Sequence, residues 1–293
     1  MADLCATPPT SLALAAAGLL GLLVGSFLNV VIHRVPRGES IAHPPSRCPG
    51  CGGRIAPWDN VPVLSFLWLR GRCRSCGARI PLRYPAIELA TGILFAALVA
   101  RHGLAPMTAV YLPFTAALLT AAAIDLEHRI IPDRISVGGL AAALACVPLA
   151  RVASGEPLPG ALAAAFGGAL LGGGLLWSVG FVHARVAVLM GRRFEHWPGA
   201  GEAPPRPRSL DYWTWFPGLG FGDVKLLAMI GAVLGPFGVL EALVAAAFVG
   251  LVGGLGFALA ARRFDAPFGF APALAVGALL VVLAPGRLLG LEG

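Results

Sequence analysis

Two aspartates stand beside apolar runs where hydrocarbon is expected. Asp125 follows FTAALLTAAAI, and Asp223 sits in GLGFGDVKLLAMIGAV. A charged side chain at the centre of a membrane helix costs about 2.5–3.5 kcal/mol, so acids in such places are kept chiefly where they are used. Two carboxylates sharing one water suffice to hydrolyse a peptide bond. They do not both ionise easily; the ionised one takes a proton from the water while the protonated one donates toward the scissile carbonyl oxygen. The plainer reading of such an acid is a helix cap. Asp223 would cap the helix that it opens. Asp125 has four apolar residues before it, so it is no N-cap. Asp133 follows Pro132 at the start of the next apolar run and reads as a structural N-cap. Glu127, His128 and Arg129 are expected in a solvated turn. Lys225, the only lysine, is expected to pair with a carboxylate or a lipid phosphate.

A second group is built from sulfur. Cys48, Cys51, Cys73 and Cys76 form C-x2-C-x21-C-x2-C. Two such pairs supply four thiolates for a tetrahedral zinc ion and leave no open position, so the expected role is structural. Redox-active disulfides or unbound thiols are the alternatives. Cys5 and Cys146 read as ordinary small apolar residues.

The elements that position these groups are helical and membranous. The 293 residues are 57% hydrophobic and 13% charged, against about 25% charged in a soluble domain. The expected fold is an all-α polytopic membrane protein. About eight transmembrane helices fall near 11–32, 86–101, 106–124, 134–151, 160–184, 224–236, 239–260 and 269–289. The first is long enough to span and lacks a basic start, so no cleavable signal peptide is expected. The run FGGALLGGG permits close helix packing. Nineteen of the 22 basic residues fall on one side of these spans; Arg101, Arg151 and Arg287 fall on the other. The positive-inside rule then puts 33–85 in the cytoplasm as a zinc-binding loop, with both acids at that face. The bilayer accounts for the +7 charge, and no nucleic acid partner is expected. The loop is too small for much core of its own, and a metal clip would help it fold. Gly220 and Gly222 would let a substrate strand pass close to Asp223.

These residues carry a resemblance. GSFLNVVIHRVP (25–36), the four cysteines, WDNVPVLSFLWLRGRC (58–73), RYPAIELATG (83–92), IDLEHRIIPD (124–133), GFGDVKLLAMIGA (220–232) and PFGFAPALAVGA (267–278) resemble, in this order, the bacterial type 4 prepilin peptidases of the GxGD intramembrane aspartyl protease group. The resemblance implies a bifunctional enzyme. One activity cuts the basic leader from prepilins and pseudopilins after a glycine at the cytoplasmic face. The other methylates the new N-terminal amine with S-adenosylmethionine. It places the catalytic acids at Asp125 and Asp223, the zinc ligands at the four cysteines, and residues linked to methyl transfer at Gly71 and Glu88. The division it suggests is a first helix (1–32), a loop (33–85) and a protease core (86–293). Two departures stand out. Pro217 occupies a position where the family commonly carries an acid, and 191–216 is longer than usual; its Pro, Arg and Trp content reads as an irregular interfacial loop. A membrane scaffold whose zinc loop recruits a partner is the alternative from another class. A transporter is disfavoured, because no inverted repeat is evident.

Overall fold

The computed structural model describes residues 9–192, 206–214, 216, 219–261 and 269–286. Cys5, Pro217 and residues 193–205 lie outside them. The described chain is helical: α1 (Ser11–Arg34), α2 (Leu64–Trp68), α3 (Arg83–His102), α4 (Pro106–His128), α5 (Asp133–Ala153), α6 (Leu158–Leu189), α7 (Leu210–Thr214), α8 (Phe221–Ala261) and α9 (Ala271–Leu283). Thr10 caps α1 by accepting the Ala13 N–H at 3.3 Å. Prolines set other starts: Pro106 opens α4, and Pro132 and Pro157 precede α5 and α6.

Six of these helices, α1, α3, α4, α5, α6 and α8, are long and apolar enough to cross a membrane, and α9 is a shorter apolar helix. The expected sixth and seventh spans appear as the two arms of α8. Gly235 breaks it at φ 78°, ψ 179°, a conformation that essentially only glycine adopts. The break reverses the chain. A Cβ on Gly172 would lie 2.6 Å from the Leu227 oxygen and 2.9 Å from Val239 Cγ2. Residues twelve apart on a straight helix would be about 18 Å apart, so both reach one glycine only if the arms fold back. Pro236 starts the second arm.

The chain divides into two compact units, Met1–Arg129 and Ile130–Gly293. In the first, α1 lies against α3, and both touch α4. Gly25 allows the approach: a Cβ there would stand 2.7 Å from Glu88 Cα. In the second, α6 runs along α8, α5 packs on both, and α9 packs on α8. Gly168 and Gly231 meet backbone to backbone, with no room for a Cβ on either. The small-residue run therefore does form a close helix contact.

Two local expectations are corrected. Glu127 and His128 do not form a solvated turn; α4 continues through His128, and Arg129 ends it in the left-handed region at φ 55°. Glu127 is paired with Arg83 at the start of α3, an ion pair that ties two helix ends. Asp133 is not the N-cap of α5 either. Pro132 holds that place and Asp133 is the first helical residue, where its charge still favours the helix N-terminus.

Candidate active site

Asp125 lies in the last turn of α4. It continues a buried stripe through Leu118 and Ala121, both 0% exposed, and is itself 6% exposed. Helical spacing puts these residues on one face, so the acid faces the packed interior of its unit. Asp223 lies in the first turn of α8 and is half-buried. Its N–H donates to the Gly220 carbonyl at 3.0 Å. A Cβ on Gly220 would sit 3.2 Å from Asp223 Oδ2, and one on Gly222 would sit 3.1 Å from Ile131 Cβ. The bare Gly220 thus leaves room for the carboxylate, and the close neighbour of Gly222 is the chain's own Ile131. Lys225, one position beyond the first turn, is paired with Asp133; of the two expected partners it has the carboxylate.

The segment before Asp223 is pinned to α6. The Arg185 guanidinium lies 3.6 Å from the Tyr212 ring centre and 4.7 Å from that of Phe181, and it bonds the Tyr212 carbonyl. Trp177 Nε1 donates to the Trp213 carbonyl at 2.8 Å. Phe216 pairs with Leu219 in a one-rung antiparallel bridge. Sequence reading treats this stretch as an irregular interfacial loop; its described part contains α7 and an aromatic clamp.

The four cysteines converge. The Sγ atoms of Cys48, Cys51, Cys73 and Cys76 all lie within 4.8 Å of one another, and Cys48 and Cys76 are 3.8 Å apart. Sulfurs about 2.3 Å from a tetrahedral zinc are about 3.8 Å from each other, so the donor set and spacing fit that ion. The fit comes from a repeat that spacing alone does not reveal. RCPGCGGR (47–54) and RCRSCGAR (72–79) fold alike: the Cys48 and Cys73 N–H groups donate to the Gly53 and Ala78 carbonyls at 2.9 and 2.8 Å. One-rung bridges join Arg47 to Arg54 and Arg72 to Arg79. Backbone N–H groups of Cys76 and Ser75, with the Cys48 thiol, pull the Cys73 thiol down to about 7. Cys76 is pushed up to about 11: the Ala78 amide pulls it down, but desolvation and the thiols of Cys51, Cys73 and Cys48 outweigh that bond. Between the pairs, Arg74 clamps Asp59 through Nε and Nη2, and this holds the Asp59 carboxyl below its ordinary range.

Glu88 sits near the start of α3, 8% exposed, and its Oε2 accepts the Val63 N–H at 2.7 Å. It lines a cavity of about 250 Å³ between α1, the cysteine loop and α3, together with Asn29, Asp59, Phe66 and Tyr84. Gly71 is not a lining residue. It adopts φ 67°, and a Cβ on it would lie 3.0 Å from Phe66 Cζ; it bears on the cavity through the Phe66 ring.

The chain matches two family models, "Bacterial Peptidase A24 N-terminal domain" over residues 19–102 and "Type IV leader peptidase family" over 112–255. It is 38% identical to a prepilin leader peptidase/N-methyltransferase of Myxococcus xanthus (strain DK1622), over 87% of this chain and 69% of that one. The chain belongs to the type IV leader peptidase family. A protein of the same description from Burkholderia pseudomallei (strain 1026b) is 36% identical over 92% of this chain and 84% of its own. One from Neisseria gonorrhoeae is 32% identical over 97% and 94%. No solved structure matches the chain. Family membership makes this a multi-pass membrane protein of a bacterial enzyme family, as the sequence reading expects. Three features of this family member escape that reading: the Arg83–Glu127 tie, the aromatic clamp and the repeated cysteine turn. Only the repeat leaves a sequence signal, the shared R-C-x2-C-G-x-R pattern.

Proposed function

We propose that this protein removes the basic leader of prepilins and pseudopilins by acid–base hydrolysis with Asp125 and Asp223, cutting after a glycine at the cytoplasmic face, and methylates the amine so exposed. The observation that carries the reading is the family match across most of the chain, with an acid at each of the two positions that the resemblance assigns to catalysis. In this reading the two acids take unlike roles. Asp223 stands in a first turn, where the helix dipole favours negative charge; Asp125 stands in a last turn, where it does not. Asp223 therefore takes a proton from the attacking water, and Asp125 donates toward the carbonyl oxygen.

Cys48, Cys51, Cys73 and Cys76 would hold a zinc ion whose part is to fix the loop fold. Glu88, and Gly71 through Phe66, would serve S-adenosylmethionine, whose chemistry is a methyl group carried on sulfur. An acid, an amide and two aromatic rings around one cavity suit a nucleoside-linked amino acid. The test is a leader-cleavage and methylation assay on membranes holding the full chain. Cleavage by wild type and none by Asp223→Ala is expected. Cleavage by both would overturn the aspartyl mechanism, and cleavage by neither would favour the scaffold alternative.

A further inference from the structure

The stretch between the two cysteine pairs carries an exposed apolar face. Trp58, Val61, Leu64, Leu67 and Trp68 are all exposed, Trp68 at 82%. Leu64, Leu67 and Trp68 stand at i, i+3 and i+4 in α2, on one side of a helical turn. Ser65, Phe66 and Leu69 turn the other way and line the cavity. Residues 60–69 hold no charge, and Asp59 just before them is paired with Arg74.

Two membrane-length helices fix the level of this stretch. The buried Asn29 of α1 donates to the Tyr84 carbonyl at 3.1 Å, and Gly25 meets the backbone of Glu88, so α1 and α3 run antiparallel with these pairs side by side. Glu88 Oε2 accepts the Val63 N–H, which puts Val63 level with Gly25 and Glu88. At 1.5 Å per residue, Val63 lies about 13 Å inside Arg34 along α1 and about 7 Å inside Arg83 along α3. Asn60 and Pro62 share a groove with Leu23, Phe27 and Val30 of α1, which lie on the same inner side of Arg34. Val63 holds φ 60°, an outlying conformation for a β-branched residue, so the turn into α2 is held by Glu88 and not by its own preference. The backbone also suits a place with little water, where polar groups must be satisfied internally. The N–H groups of Ser65, Leu67 and Leu69 donate to the Val61, Val63 and Ser65 carbonyls at 3.1, 3.0 and 2.9 Å.

We propose that residues 58–68 are a foot of the cysteine loop that lies in the bilayer, with Trp58, Leu64, Leu67 and Trp68 among the acyl chains just below the headgroups. Lipid is the occupant because Leu23 and Phe27 of α1 and Leu89 of α3, exposed at the same level, face it too. Amphipathic segments with tryptophan on the apolar side insert about 5–10 Å at this boundary. The cysteine turns are then tied to the membrane by the segment between them, and not only by the ends of α1 and α3.

Full-length protein in phosphatidylcholine vesicles with a photoactivatable diazirine on the acyl chain tests the foot. Trypsin releases residues 55–70 as one peptide, between Arg54 and Arg70. That peptide is expected to carry lipid adducts, as the peptide holding α1 does, while residues 75–79 of the second cysteine turn carry none. Leu67→Glu with Trp68→Glu is expected to cut the adducts on 55–70 about fivefold or more, with α1 labelling unchanged. A second readout does not need that variant to fold. The fluorescence difference between wild type and Trp68→Phe reports Trp68 alone, and bromines near the glycerol end of the acyl chains are expected to quench it more than bromines near the methyl end. Labelling of α1 with none on 55–70, or quenching of Trp68 by aqueous iodide and not by bromolipid, would put the face in water and overturn the proposal. Adducts undiminished in the charged variant would refute it as well. Cross-linking of 55–70 to a second copy or to added prepilin in place of lipid would give the face to a protein and equally overturn it.

Discussion

Lys225 and Asp133 are ion-paired across 92 residues of sequence, joining the start of α8 to the start of α5. The pair gives each residue an opposite charge close by. Asp133 is 68% exposed and Lys225 24%, so the pair is worth about 0–1 kcal/mol. Asp133→Asn is expected to keep most leader cleavage and lose under about 1 kcal/mol of stability. Asp125→Asn and Asp223→Asn are each expected to abolish cleavage at unchanged protein level. Gel mobility of a prepilin substrate separates the three; near wild-type cleavage by either of the last two would refute the catalytic roles of Asp125 and Asp223.

Purified protein is expected to hold about one zinc per chain, and replacing Cys48 and Cys51 by serine is expected to remove it. Metal analysis in reducing buffer measures both. Methylation should fall further than cleavage in that variant, because Asp125 and Asp223 lie outside the loop while the cavity wall includes Cys48 and Cys73.

Zinc affinity should rise with pH between about 6 and 8. Bound ligands must be thiolates, so binding expels protons. Cys76, pushed up to about 11, carries a proton through this range, and Cys73, at about 7, gains one as pH falls below neutrality. Acidification therefore weakens binding, by about tenfold or more per pH unit, as competition with a chromophoric chelator would record. An affinity flat across this range would contradict the thiol assignments.

Gly235→Ala is expected to destabilise the protein by about 1–3 kcal/mol, because a Cβ strains that backbone region. Gly231→Val should be worse, since its Cβ meets the Gly168 backbone. Gly254→Ala, which meets nothing within 4 Å, is the control. Thermal unfolding in detergent ranks them.

Span positions were readable because apolar runs and prolines mark them: α1, α4 and α5 begin within one residue of expectation. The ends were less so. α4 runs past its apolar stretch to His128, since Arg83 stabilises Glu127 in the last turn, and such a distant partner leaves no local trace. The reversal at Gly235 was legible only as a gap between two runs. For the site, the residue types and spacing named the four cysteines. Asn29 was not singled out within its motif, because a buried amide is recognisable only once its neighbours are placed.

The short first arm of α8 has a consequence for the surrounding lipid. Phe221–Leu234 spans about 21 Å at 1.5 Å per residue, whereas the hydrocarbon layer is about 30 Å thick. One end of that arm must lie below a membrane surface, or the bilayer must thin beside it. If that end carries Asp223, the dimple admits the water that hydrolysis consumes. Turnover would then track acyl-chain length, falling in thick bilayers and rising in thin ones, and the membrane's own composition would act as a rheostat on the enzyme.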